Sequence, residues 1–178
     1  MDSYSIDRTE THTNEVIIDR LMTDYGQEIL QLVMQYVHNL SLAEDLTQEI
    51  FMKCYKALPT FQYDSSMKTW LWRIAINHSK DYFKSWYARN VEITGEYGFI
   101  LDESRNRVEQ QVLQQEQDEE LARAVGTLPV KYREVIYFCY YEDRTMKEIS
   151  EVLQVKESTV KTRLRRAKQL LQERLERG

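Results

Sequence analysis

The chain has 178 residues, of which 42% are hydrophobic and 30% charged, and its formal net charge at pH 7 is −5. This composition is typical of a globular protein and lies outside the range of disordered chains. No apolar run approaches the roughly 20 residues that cross a bilayer, and the first residues are polar and acidic, unlike a signal peptide. We therefore expect a cytoplasmic protein with one medium or two small cores.

Charge is distributed unevenly along the chain. Residues 59–90 carry 5 basic and 2 acidic side chains, and residues 156–178 carry 8 and 3. In contrast, residues 1–58 carry 4 basic and 10 acidic side chains, and residues 91–120 carry 2 and 9. Because salt confines surface electrostatics to roughly 10 Å, a nucleic acid would respond to the two basic zones and not to the total charge. The acidic zones indicate a basic partner or simple solvation.

Helical periodicity dominates the chain, and no strand or hairpin pattern interrupts it, so we predict an all-α fold. The first apolar stripe covers residues 17–37, where Gly26 is a candidate break. A second amphipathic helix is predicted at 42–58, with Ser41 as its N-cap and Pro59 as its stop.

A third helix is predicted from about residue 67 to 87, after a loop at 60–67. Aromatic and cationic side chains interleave between residues 61 and 89. Aromatic rings can stack on unpaired bases at roughly 1 to 3 kcal/mol each while cations hold the backbone, so this segment suits opened DNA. The alternative is that the rings build a core. The rings expected in the core are Trp70, Tyr82 and Phe83; those open between the two roles are Phe61, Tyr63 and Trp72.

The pattern changes after the third helix. Weak periodicity, glycines and acids predict a flexible acidic linker at residues 89–115. We therefore predict two small helical domains, 1–88 and 116–178. In the second, Gly126 and Pro129 separate an apolar stripe ending at Leu128 from the next, which comprises Val135, Ile136, Phe138, Cys139 and Tyr140.

The most specific pattern lies between Thr145 and Lys168. Its apolar residues are spaced so that two short helices bury one small core around a bend at 154–156, as in a helix-turn-helix. Thr145 and Glu148 form a capping box at the start of the first helix. Because glycine often occupies this turn, we expect Gln154 to adopt the left-handed conformation at a modest cost.

The second helix of this motif is strongly basic. Its cations and hydroxyls suit phosphates and base edges in a major groove. A charged surface helix with i,i+4 ion pairs and no ligand is the alternative, which the excess of cations disfavours. The predicted DNA contacts are Lys156, Ser158, Thr159, Lys161, Thr162, Arg163, Arg165, Arg166 and Lys168.

No pattern indicates catalysis. His12, His38 and His78 are scattered, and the sequence has no nucleophilic triad, glycine-rich phosphate loop or metal-ligand spacing. Cys54 and Cys139 lie within apolar helical patterns, so we expect small buried hydrophobic residues. We predict a protein that is not an enzyme and binds no cofactor or metal.

Three stretches resemble bacterial sigma factors of the extracytoplasmic-function group, the two-domain members of the sigma-70 family. They are residues 43–58, residues 68–83, and Leu128-Pro129 with the helix-turn-helix. Together they cover most of the chain, in the order and at the distances of the family. The first two stretches are more specific than a helix-turn-helix alone.

The resemblance implies several partners. Helix 42–58 would bind a coiled coil of the largest subunit of RNA polymerase, and the C-terminal domain would contact the polymerase flap. The linker would thread towards the polymerase active site. An anti-sigma factor, often membrane-anchored, is also implied. The implied polymerase contacts are Glu44, Asp45, Gln48 and Glu49.

The resemblance also implies two promoter contacts. The 60–84 segment would open and read the minus-10 element, and its loop would receive a base turned out of the stack. The helix-turn-helix would read the minus-35 element. The implied minus-10 residues are Phe61, Tyr63, Asp64, Ser65, Lys68, Trp72, Arg73, Asn77 and Lys80. The implied minus-35 residues are Lys156, Ser158, Thr159, Lys161, Thr162, Arg163, Arg165 and Arg166. A stand-alone, dimeric helix-turn-helix regulator that acts without polymerase is the alternative function.

Overall fold

The computed structural model describes residues 3–94 and 116–177, and every regular element within them is helical, as predicted. The chain forms two compact units, Met1–Ser85 and Trp86–Gly178. Among the described residues, no helix is both long and apolar enough to cross a membrane. The elements are α1 (Ser3–Val37), α2 (Leu40–Ala57), a 3-10 turn (Leu58–Thr60), α3 (Met67–Thr94), α4 (Glu116–Gly126), α5 (Val130–Ile136), a π-helical turn (Tyr137–Tyr141), α6 (Met146–Leu153) and α7 (Glu157–Leu175).

Helix α1 is continuous, so the break predicted at Gly26 is wrong. A side chain at Gly26 would meet nothing within 4 Å. The glycine costs about 1 kcal/mol within a helix, but the apolar stripe on either side keeps the helix packed. The buried members of that stripe are Ile18, Leu21, Ile29, Leu32, Val33 and Tyr36.

Helix α2 begins earlier than the predicted Ser41 cap. Asn39 is the N-cap, with extended φ and ψ of −138° and 119°, and its side chain accepts a hydrogen bond from the Leu42 amide at 2.9 Å. Asparagine caps at least as well as serine, and here it is the residue with the extended conformation that a cap needs. As predicted, α2 ends just before Pro59.

Helix α3 extends past its predicted end near residue 87 and includes residues 89–94 of the predicted linker. No proline or glycine occurs between residues 88 and 94, so no local signal stops the helix there. The rest of the predicted linker lies outside the described residues.

The buried stripe of α3 also differs from the predicted one. Trp72 is 2% exposed, whereas Trp70, Tyr82 and Phe83, the rings expected in the core, are only half-buried. Two apolar stripes compete on this helix, and packing against the rest of the unit selects one of them. The selected stripe is Leu71, Trp72, Ala75, Ile76 and Ser79.

The second unit forms around the contact of α5 and α7. Its core cluster contains Leu128, Ile136 and Ala167. Helix α4 ends at Gly126, and Pro129 is the N-cap of α5, so this boundary is confirmed. At the end of α7, the Arg174 guanidinium donates to the Ala124 carbonyl at 3.3 Å and to the Thr127 hydroxyl, which connects α7 to the end of α4.

The helix-turn-helix consists of α6 and α7. The capping box predicted for Thr145 and Glu148 is confirmed. Gln154 ends α6 with φ 54° and ψ 43°, the predicted left-handed conformation. The Ser150 hydroxyl donates to the Val155 carbonyl at 2.7 Å and holds the turn against α6.

Candidate nucleic-acid interface

The N-terminal half of α7 presents a row of polar side chains to solvent. Val160 and Ala167 are buried on the opposite side, which fixes the orientation of the helix. Lys161 is 64% exposed and makes one i,i+4 pair, 3.3 Å from Glu157. An exposed pair of this kind is weak, so its cation is available to a phosphate. The exposed members of the predicted set are Lys156, Ser158, Lys161, Thr162, Arg165, Arg166 and Lys168, and Thr159 is half-buried.

Arg163 differs from this row because it is engaged within its own unit. Its Nη1 lies 3.5 Å from Oε1 of Glu134, whose side chain is only 2% exposed. A buried carboxylate is costly unless a cation pairs with it. Arg163 therefore neutralises Glu134 in this structure, a contact between distant residues that the sequence did not reveal.

The π-helical turn places aromatic rings beside the basic helix. Tyr140 and Tyr141 are 55% and 71% exposed, so the core position predicted for Tyr140 is wrong. The Glu142 amide donates to the Tyr137 carbonyl five residues back. Because this turn is wider than an α-helical turn, the α-helical period that placed Tyr140 in the apolar stripe does not hold here. A hydrogen bond to the Tyr140 hydroxyl raises the pKa of Lys168.

Two rings of the loop before α3 and one ring of α3 itself form a contact group, here called the ring stack, whose planes are tilted by 47° and 35°. The Phe61 ring lies 4.6 Å from the Tyr63 ring and 4.9 Å from the Trp70 ring. Phe61 is 9% exposed and Tyr63 is 73% exposed. Tyr63 has φ 57°, a left-handed conformation that costs roughly 1–3 kcal/mol in a residue other than glycine. The stack therefore ends in a ring held out into solvent.

The residues between Tyr63 and α3 are polar. Asp64 is exposed and Ser65 is half-buried. The Ser66 hydroxyl accepts a hydrogen bond from the Thr69 amide at 3.1 Å, which caps α3.

Helix α3 carries a stripe of polar side chains that begins next to the ring stack. Arg73, Asn77 and Lys80 follow Trp70 at spacings of three or four residues, which places all four on one side of the helix. Asn77 is exposed and the two cations are half-buried. Trp70, which the sequence assigned to the core, thus joins the ring stack to this polar stripe.

Lys68 and Trp72, two more predicted DNA contacts, make contacts within the first unit; Trp72 is buried and Lys68 is half-buried. The Lys68 Nζ is 2.8 Å from Oε2 of Glu28 and 4.8 Å and 4.7 Å from the ring centres of Tyr25 and Trp72. Lys68 thus connects α1 to α3, and the buried Trp72 ring leaves no face for a base.

The outer face of α2 brings together the four predicted polymerase contacts. Glu44, Asp45, Gln48 and Glu49 are all exposed. Glu49 is also joined to α3, since its Oε2 lies 2.7 Å from Nε2 of His78.

The same face of α2 continues into two apolar residues that are not among the predicted polymerase contacts. Met52 is 60% exposed and Tyr55 is 36% exposed, and they follow Gln48 by four and seven residues. The only sequence signal for this extension is its register with the acidic residues.

No cysteine or metal chemistry is evident in the described part of the chain. Burial raises the pKa of Cys54 to about 12, and Cys139 is half-buried. Within residues 3–94 and 116–177, no group of three or more His, Cys, Asp or Glu side chains could hold a metal ion.

Comparisons with known proteins match two separate regions of the chain. Residues 21–88 match the model for Sigma-70 region 2, and residues 118–171 match that for Sigma-70, region 4. The chain is 32% identical over 158 residues to the ECF RNA polymerase sigma factor SigW of Bacillus subtilis, covering 85% of this chain and 84% of the relative. It is 30% identical over 165 residues to the RNA polymerase sigma-H factor of Pseudomonas aeruginosa, covering 89% and 86%.

A solved structure shows the same fold. The sigma factor RpoE from Bartonella quintana, co-crystallised with the anti-sigma factor NepR, matches with a TM-score of 0.71 and 19% identity over 89% of this chain and 96% of that chain. The two matched regions follow each other in one chain, and the relatives align with it over most of their length. The chain therefore belongs to the sigma-70 family, as a member of its extracytoplasmic-function group of sigma factors.

Proposed function

We propose that this chain is a dissociable specificity subunit that binds RNA polymerase core, recognises the minus-35 and minus-10 elements of a promoter and nucleates its melting. The observation that carries this function is the presence of regions 2 and 4 in one chain. A stand-alone regulator would need the helix-turn-helix and a ligand-sensing N-terminal domain, but not region 2. The chain acts in the cytoplasm, without catalysis of its own, and the polymerase supplies the chemistry.

In this proposal the minus-35 element is read by the exposed polar row of α7. The row's cations hold phosphates, and its hydroxyls and remaining cations reach base edges in the major groove. Arg163 supports the helix from within through Glu134 and does not contact DNA.

The minus-10 element is recognised by the ring stack and the polar stripe of α3. Tyr63 supplies an exposed ring for a base turned out of the duplex, and Phe61 and Trp70 support it from below. Arg73, Asn77 and Lys80 contact the adjoining strand. Because Lys68 and Trp72 are engaged within the first unit, they position α3 and do not touch DNA.

The polymerase core binds the outer face of α2. Glu44, Asp45, Gln48 and Glu49 give this face its negative charge, which suits a basic partner surface. Met52 and Tyr55 extend it with apolar area that a partner would bury. The C-terminal unit makes a second contact, with the polymerase flap.

Two further proposals come from family membership. The functional domains are residues 1–88 and 116–178, and the segment 89–115 that joins them begins with the last residues of α3. An anti-sigma factor, anchored in the membrane, holds the chain away from polymerase until a signal releases it. The matched Bartonella quintana protein was crystallised with an anti-sigma factor, NepR.

The decisive experiment combines core binding with transcription. Transcripts that appear on overexpression would be sequenced to locate promoters, and these would be transcribed with purified core with and without the chain. We expect a complex with core and transcription that depends on the chain. Absence of both would contradict the proposal, and tight operator binding by a dimer without polymerase would favour the regulator.

A further inference from the structure

Glu49 is the polar residue of the α2 face that is fixed to another helix. Its Oε2 accepts a hydrogen bond from Nε2 of His78 at 2.7 Å, across 29 residues of sequence. The His78 side chain is 13% exposed, whereas that of Glu49 is 56% exposed. The bond therefore starts inside the first unit and ends at its surface.

His78 itself is held in place by the packing of α3. Its neighbour Ser79 and Ala75, three residues earlier, are 0% exposed. Because α3 is anchored through this buried stripe, the imidazole can act as a fixed donor. An ionised carboxylate only accepts hydrogen bonds, so the hydrogen of this bond belongs to Nε2.

A fixed carboxylate is an advantage in a binding surface. A glutamate at the surface normally samples several rotamers. When a partner binds and orders it, the lost conformational entropy reduces the affinity. With Oε2 engaged by His78, Glu49 is ordered before a partner arrives. Its second oxygen, Oε1, can still accept from a cation.

We propose that His78 is a positioning residue of the polymerase-binding surface, which orients the Glu49 carboxylate towards a lysine or arginine of the polymerase core. This inference rests on the proposed function, because it requires α2 to be the polymerase face. In this proposal α3 has two roles: its polar stripe contacts the minus-10 element, and His78 supports the polymerase contact of α2.

A double-mutant cycle on the full-length chain tests the proposal. The dissociation constant for RNA polymerase core would be measured for the wild type, His78→Ala, Glu49→Ala and the double variant. Loss of one preordered side chain predicts that His78→Ala weakens binding about two- to tenfold. In the Glu49→Ala background, the same substitution should have no further effect.

Two variants separate positioning from general destabilisation. His78→Gln keeps an N–H donor at a similar distance and should restore most of the affinity. Asp81→Asn, an exposed change one turn further along α3, should bind core like the wild type. Thermal unfolding of each variant without polymerase would show whether affinity follows stability.

The possible outcomes separate the role of His78 from the proposed binding of the chain to polymerase core. Wild-type affinity in His78→Ala, an equal loss in both backgrounds, or no rescue by His78→Gln would overturn the role of His78 while the wild type still binds core. A wild-type chain that does not bind core would overturn the proposed function, and this inference with it.

Discussion

Arg163 and Arg166 lie nearly one turn apart on α7, yet their surroundings differ. Arg163 pairs with the buried Glu134, whereas Arg166 is 48% exposed and lies 3.9 Å from Glu173, itself half-exposed. The sequence treats the two arginines alike, as cations on a basic helix. The difference comes from Glu134, 29 residues before Arg163. It engages Arg163 within the unit and leaves Arg166 available to DNA.

The two arginines therefore predict different mutant behaviour. Arg163→Ala leaves a buried carboxylate without this cation and should destabilise the second unit by about 1–3 kcal/mol. Arg166→Ala should leave stability nearly unchanged and weaken promoter binding by the holoenzyme. The slope of the logarithm of the binding constant against the logarithm of the salt concentration should fall in magnitude by about one. Urea unfolding and binding to a promoter fragment at several salt concentrations would measure both effects.

Each variant serves as the control for the other. Our assignment would be wrong if Arg163→Ala had wild-type stability and reduced the salt slope as Arg166→Ala does. The same distinction explains Lys68, whose charge is matched by Glu28 on α1.

At the scale of elements, the glycine within α1 is a weak point with no structural purpose among the described contacts. Gly26 lies in a continuous helix, and an added Cβ would meet nothing within 4 Å. Alanine is favoured over glycine inside a helix by roughly 0.5–1 kcal/mol. We expect Gly26→Ala to raise the free energy of unfolding by about that amount, measured by urea denaturation. A destabilised variant would indicate that the helix must bend or open at this point.

The capping box of α6 predicts a pH dependence. The Thr145 amide donates to Oε2 of Glu148 at 2.8 Å, and this bond, with that of the Thr145 hydroxyl, lowers the pKa of Glu148 below its ordinary 4.5. A lowered folded-state pKa means that the ionised form stabilises the fold. That contribution is complete above the unfolded pKa and is lost as the pH falls through the folded pKa.

Glu148→Gln isolates this charge, because glutamine can make the same capping bonds without ionising. The stability of the wild type should exceed that of the variant most at neutral pH, and the difference should shrink as the pH falls below 4.5. Unfolding curves over this range would test it. A difference that grew on acidification would mean that Glu148 is not stabilised as a carboxylate.

For the whole molecule, the uneven charge of the chain corresponds to separate surfaces. The acidic face of α2 and the basic row of α7 belong to different units. We expect Asp45→Lys to weaken binding to polymerase core at least tenfold, because like charges at an interface cost several kcal/mol. Arg166→Ala should bind core normally and weaken only promoter binding.

Measuring core affinity and promoter affinity on the same two variants would show whether the tasks separate in this way. Met52 lies on the same face of α2 as Asp45. The core affinity of Met52→Ala would therefore compare the contribution of an apolar contact with that of a charge. Equal loss of core binding in Asp45→Lys and Arg166→Ala would contradict the division of surfaces.

The sequence by itself determined the helical fold, the helix-turn-helix with its cap at Thr145 and left-handed Gln154, and the resemblance to sigma factors. These follow from periodicity, capping residues and motif spacing, which are properties of neighbouring residues. The tertiary structure alone decided that Trp72 is buried while Trp70 joins the ring stack, and that Arg163 is engaged by Glu134. These outcomes depend on which distant helix packs against each side chain, and no local pattern contains that information.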